Sequence, residues 1–134
     1  MGGRGYKNDV SGYLDGNRRT VEFKTLLMTG DGRIDILCDI TSPKTPTAPI
    51  FSNSPDKIYA LVGKRDKIKS IGFYDGRHMM VKTIHMDHKH DGYCPHVHVG
   101  DSYHHDTENV RRTTAEEGIV VEEVLRLWKE QGGK

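Results

Sequence analysis

Between residues 18 and 99 the chain alternates apolar and polar positions, the period of a β-strand whose two faces meet different surroundings. Residues 20–28 place Val21, Phe23 and Leu27 on one face, and residues 33–40 group Ile34, Ile36, Cys38 and Ile40. Thr29, Gly30, Asp31 and Gly32 separate the two runs. Glycine reaches positive φ without steric cost, so this stretch predicts a β-hairpin. Residues 41–55 hold four prolines among Ser, Thr and Asn, cannot pair as a central strand, and predict an extended crossing loop. Residues 57–62 and 67–74 then flank the turn Gly63, Lys64, Arg65 and Asp66 as a second hairpin. Asp75 and Gly76 lead into a strand over 79–87, and a short strand over 95–99 follows.

The period changes once. Thr113 and Thr114 stand three residues before Glu116 and Glu117, the spacing of two alternative capping boxes. Val121, Val124, Leu125 and Trp128 form an apolar stripe, and Gly132 and Gly133 end the run. Gly118 costs about 1 kcal/mol relative to alanine, which would delay the start of regular helix. The expected fold is α+β: an antiparallel β-meander sheet of about five or six strands, with a C-terminal helix packed on one face. Residues 1–17, with five glycines and no apolar period, are expected to be a flexible arm ahead of a single domain over 18–134.

Composition narrows the function classes. Twenty basic and nineteen acidic residues give a net charge of +1, so no global field recruits nucleic acid, and any such contact must come from a local patch. Lys64, Arg65, Lys67 and Lys69 are such a patch at a hairpin tip, although charged tips are most often simply solvated. Two cysteines, Cys38 and Cys94, do not make a disulfide framework and point to a reducing cytoplasm. No apolar run reaches membrane-spanning length, and residues 1–6 carry no apolar signal core. A cytoplasmic protein without a membrane partner is expected.

Seven of the eight histidines, with four aspartates and Cys94, lie between residues 85 and 106. Side chains two apart on a strand share a face, so His96 and His98 project together, as do His88 and His90 if the strand lasts that far. A turn through Gly92 and Pro95 would bring both pairs close. Converging imidazoles suit zinc, nickel, copper or iron, so His88, His90, His96 and His98 are the expected ligands of a transition metal ion. Asp87, or a later aspartate, would supply an oxygen ligand or orient a ring. The plainer alternative is solvated or structurally hydrogen-bonded histidines.

Phosphodiester cleavage is the second chemistry this cluster suits. It needs proton carriers near neutral pKa and a cation for the developing charge. His85 or His88 facing His98, with Lys82, Lys89 or Arg111 beside them, would supply both. Asp87-His88-x-His90 resembles the strand end of HNH and endonuclease VII-like nucleases. That pattern's paired zinc cysteines and helical histidine have no counterpart here, which makes such an enzyme a poor fit. No Walker A, dinucleotide-binding glycine fingerprint or nucleophile elbow is present.

The Met1-Gly-Gly-Arg-Gly5 opening is similar to that of small proteins encoded in prophages and integrative elements of Gram-positive anaerobes. The segment from Lys69 to His88, followed by Pro95-His-Val-His98, resembles a domain found alone in such elements or at the tail of phage head proteins. The resemblance covers the central third to half of the chain and implies no particular activity. Neighbouring phage-borne domains resemble small ribonuclease folds of the barnase, EndoU and RelE type, an analogy of fold only. Two functions are therefore expected to compete. One is a metal-binding, nuclease-like domain acting on nucleic acid. The other is a non-catalytic phage accessory module that binds a phage protein, with structural or pH-sensing histidines.

Overall fold

The computed structural model describes residues 13–14, 20–41, 46–49, 51–87, 94–100 and 110–132. Two short strands, β1 (Tyr13–Leu14) and β2 (Thr20–Val21), pair with each other, so part of the glycine-rich stretch forms a ladder. The rest of the expected 1–17 arm lies outside the described residues. The main sheet has seven strands in chain order: β3 (Phe23–Met28), β4 (Ile34–Asp39), β5 (Ile58–Val62), β6 (Ile68–Tyr74), β7 (Met80–His85), β8 (His96–Val99) and β9 (Val110–Arg111). One helix, α1 (Ala115–Glu130), packs against it, which makes the fold α+β as the periodicities indicate.

The β3–β4 hairpin closes where the sequence places it. Thr29 Oγ1 donates to Asp31 Oδ1 at 2.6 Å, the Gly32 N–H donates to the Thr29 carbonyl, and Gly32 takes a φ of 74°. The next connection departs from a meander. Residues 41–57 return the chain so that β5 runs parallel to β4, with Ile34 opposite Ile58 and Leu37 opposite Leu61. The proline-rich stretch thus acts as a crossover, and its Ala48, Pro49 and Asn53 lie over the sheet face away from α1. Tyr74 Oη donates to the Pro49 carbonyl, Lys69 Nζ to the Pro46 carbonyl, and Tyr59 Oη to Asn53 Oδ1 at 2.7 Å. The sheet is therefore mixed, and β9 carries it beyond the expected five or six strands.

Every residue of β5 is buried, because the strand lies within the sheet and is covered on both sides. On the helix side Ile36, Ala60, Ile71, Ile84 and Val97 form a row across five strands, covered by Val120, Val121 and Val124. On the other side Phe23, Leu37, Tyr59, Leu61, Tyr74 and Met80 cluster with Ala48 of the crossover. A bulge between Thr25 and Leu27 switches faces, so Leu27 pairs with Ile36 and joins the helix-side core, opposite to Phe23. Ile40, expected to align with Ile36, lies past the end of β4 and is exposed.

Helix α1 begins at Ala115, with Gly118 inside it. Of the two possible capping boxes the chain uses Thr114 with Glu117: the Glu117 N–H donates to Thr114 Oγ1, and the Thr114 N–H to Glu117 Oε1. That cap and the packing of three valines outweigh the cost of Gly118. The buried stripe runs through Val120, Val121 and Val124, with Leu127 and Trp128 partly covered, whereas Leu125 is exposed. The Trp128 indole N–H donates to the Asp66 carbonyl at 2.7 Å, tying the helix to the β5–β6 turn.

Candidate metal centre

Strand pairing builds the site. In the β7–β8 ladder His85 stands opposite His96 and Thr83 opposite His98. Paired residues share a face, and His96 and His98 are two apart, so all three imidazoles project on the side of the sheet away from α1. His96 is 0% exposed, His98 is 6% exposed, and His85 is partly exposed at the end of its strand. The neighbouring positions on that face are small and polar: Ser70 pairs with His85 from β6, and Thr83 donates its hydroxyl to Met80 Sδ.

The three rings are in mutual contact. His85 stacks on His96 at 5.1 Å between centroids, and both meet His98 edge-on at 4.6 and 4.9 Å. His96 Nε2 and His98 Nε2 lie 3.2 Å apart, and one ligand nitrogen from each of the three rings falls within 4.8 Å of the others. Two imidazoles on one tetrahedral zinc, with zinc–nitrogen bonds near 2.0–2.1 Å, place their nitrogens about 3.3 Å apart. The His96–His98 pair already has that separation. His85 needs to close by at most about 1.5 Å, and as the partly exposed ring at a strand end it has the freedom to do so. The donor set is chemically apt for a borderline transition metal, and three protein ligands leave one position open.

Of the residues expected at the site, the fold brings together His85, His96 and His98. His88 and His90 lie outside the described residues, as does Lys89. Asp87 is exposed and follows His85 by two positions, lining a cleft beside the triad. Lys82 points the other way. Its place on β7 puts it on the helix side, where Nζ lies 2.7 Å from Glu117 Oε2 and over the Phe73 ring. Arg111 is on that side too, with Nη1 and Nη2 donating to the two Glu117 carboxylate oxygens at 2.8 and 2.9 Å. Neither cation faces the histidines. The His85 and His98 rings, 4.6 Å apart, also leave no gap for a phosphate between an acid and a base. Sharing one ion suits this spacing better.

Glu117 is the residue with chemistry that the sequence registered only as a cap. It is 2% exposed, and the hydrogen-bonded Arg111 guanidinium, with Lys82, holds its carboxyl far below the usual carboxylate range against the cost of burial. This cluster joins β7, β9 and α1, and its role is structural. No sequence motif marks it, since the partners are six and thirty-five positions away.

No family model, no curated protein and no solved structure matches the chain. No helix among the described residues is long and apolar enough to cross a membrane.

Proposed function

We propose that the protein is a metal-using domain of the phosphodiesterase type, with zinc or another transition metal held by His85, His96 and His98. The convergence of three imidazole nitrogens within 4.8 Å carries this reading. A bound ion with an open position polarises a phosphoryl oxygen and activates water near neutral pH. The chain's part is to fix three neutral donors on two paired strands, with two of them shielded from solvent. Nucleic acid is the proposed substrate, in the prophage or mobile-element setting that the sequence resembles. Cys38 and Cys94 are both free thiols, which fits a cytoplasmic location.

Elemental analysis of untagged protein tests the site directly, and about one metal per chain is the expected result. H85A alters the partly exposed ligand and leaves the buried pair in place. Its zinc affinity, read by competition with a chelating dye, should fall by more than the ~10–100-fold that loss of a supporting residue costs. A folded protein that neither retains metal nor takes it up from micromolar zinc rules the reading out.

A second reading has one observation in its favour. The 3.2 Å contact between His96 Nε2 and His98 Nε2 is also hydrogen-bond distance, which one ring would fill as donor and the other as acceptor. The pair would then be structural in a non-catalytic accessory module that binds a phage protein. Metal-free protein with unchanged stability on adding zinc is the outcome that selects it.

A further inference from the structure

At the same end of the sheet as the triad the chain opens a cleft of about 570 Å³. Among the described residues four cations line it, Lys64, Arg65, Lys67 and Lys69, against one carboxylate, Asp87. Met86 and Asp87, which also line it, directly follow His85 in the chain, so the cleft lies at the strand end that carries the outermost ring of the triad. In a chain of net charge +1 this is a local concentration of positive charge. Lys64, Arg65 and Lys67 are exposed, and among the described residues none of them is ion-paired. Lys69 contributes its charge from a fixed position, because Nζ is held by the Pro46 carbonyl.

The tip that carries these cations is shaped more firmly than a solvated turn requires. Arg65 and Asp66 both take left-handed backbone angles, φ 60° and 58°, which cost a non-glycine residue and persist only where the surroundings enforce them. Here the Trp128 indole N–H anchors the Asp66 carbonyl, and the Gly63 N–H donates to the Lys67 carbonyl at 2.7 Å. Among the described residues the lining contains no aromatic ring, so what they offer a nucleic acid is charge for its backbone and no platform for base stacking. A volume in the range of small-ligand pockets, roughly 300–1,000 Å³, admits one or two nucleotides but not a duplex.

We propose that this cleft binds the phosphodiester backbone of a single-stranded nucleic acid, without base preference, and leads it to the histidine triad. The proposal rests on the phosphodiesterase reading of that triad, and two separate assays distinguish their failures. Fluorescence anisotropy of the full chain with labelled twelve-residue oligo(dT) and oligo(rU), in EDTA with the fold checked by circular dichroism, reads the cleft alone. Both should bind, with affinity falling steeply as salt rises. K64Q/R65G/K67Q should weaken binding at least tenfold at 50 mM salt. With three contacts of about 0.7 each removed, it should lower the log–log salt slope by about 2. R65G alone, which relieves the left-handed strain, should lower the slope by about 0.7 with no loss of thermal stability. The proposal is overturned if the wild type does not bind, if the triple variant binds equally well, if an uncharged methylphosphonate oligomer binds as tightly, or if a duplex binds better. Turnover of bis(p-nitrophenyl) phosphate with added zinc reads the metal centre without the cleft and should be unchanged in the triple variant. Oligonucleotide binding without turnover of the small diester upholds the cleft and removes the hydrolytic reading. Turnover of the small diester without oligonucleotide binding does the reverse.

Discussion

Glu117 stays ionised inside the protein because three partners meet its charge: a bidentate guanidinium, an ammonium and the Thr114 N–H. Its folded-state pKa lies below the ordinary value of 4.5, so folding favours the deprotonated form. The stabilisation is fully present above about pH 4.5 and is lost as pH falls toward the folded value. E117Q should cost about 2–3 kcal/mol at pH 7, kept from the upper range for broken buried pairs because Arg111 and Lys82 both reach water. Urea denaturation should show the gap between wild type and variant narrowing below pH 4.5, yet still open at pH 3. A gap that widens in acid would contradict this assignment. At the triad, sequence reasoning found the residues and divided them differently. His96 and His98 are legible as a same-face pair, whereas the sequence pattern suits His85 to a proton-carrying role. What joins them is the register of β7 and β8. The expected turn through Gly92 and Pro95 brings the two strands together without setting which residue of 95–99 stands opposite His85, and the ladder sets His96 there.

At the scale of elements, a helix glycine and a turn glycine behave oppositely. Gly118 lies inside α1, and a Cβ there meets nothing within 4 Å. G118A should therefore stabilise the protein by about 1 kcal/mol through helix propensity. At Gly63 an added Cβ would lie 2.8 Å from Lys69 Cβ, closer than real side chains approach. G63A should destabilise by about 1–3 kcal/mol, as overpacking does, and thermal melts of the pair should shift in opposite directions. Most elements could be read from the chain. The glycine-bearing hairpin turn, the proline-rich break and the capping box are local signals, and β3 to β8 and α1 lie within a few residues of their expected places, whereas β1 and β9 were not expected. The bulges are what escaped. One extra residue near Thr25 sends Leu27 to the other face, and a two-residue strand such as β9 is too short to show a period.

Across the whole molecule, a single row of apolar side chains links five strands to the helix, and Ile71 sits in its middle at 0% exposure. I71A should cost about 2–5 kcal/mol, and denaturation followed by circular dichroism and by Trp128 fluorescence should lose stability equally. Separate losses in the two signals would mean that helix and sheet unfold independently. The order of the strands was less legible than their positions. Alternation identifies a strand without naming its neighbour, so the parallel pairing of β4 with β5 could not be read from residues 33–40 and 57–62. That crossover also divides the molecule. Pro46, Pro49 and Asn53 of the crossover bind β5 and β6, while the β3–β4 hairpin is held by the β4–β5 ladder and by Phe23, Leu27, Ile36 and Leu37 packed into the two cores. Severed between Thr41 and Pro46, the chain should yield two complementing fragments: an N-terminal hairpin and a C-terminal body that recapture each other when co-expressed. The protein is, in that sense, already built as a split reporter.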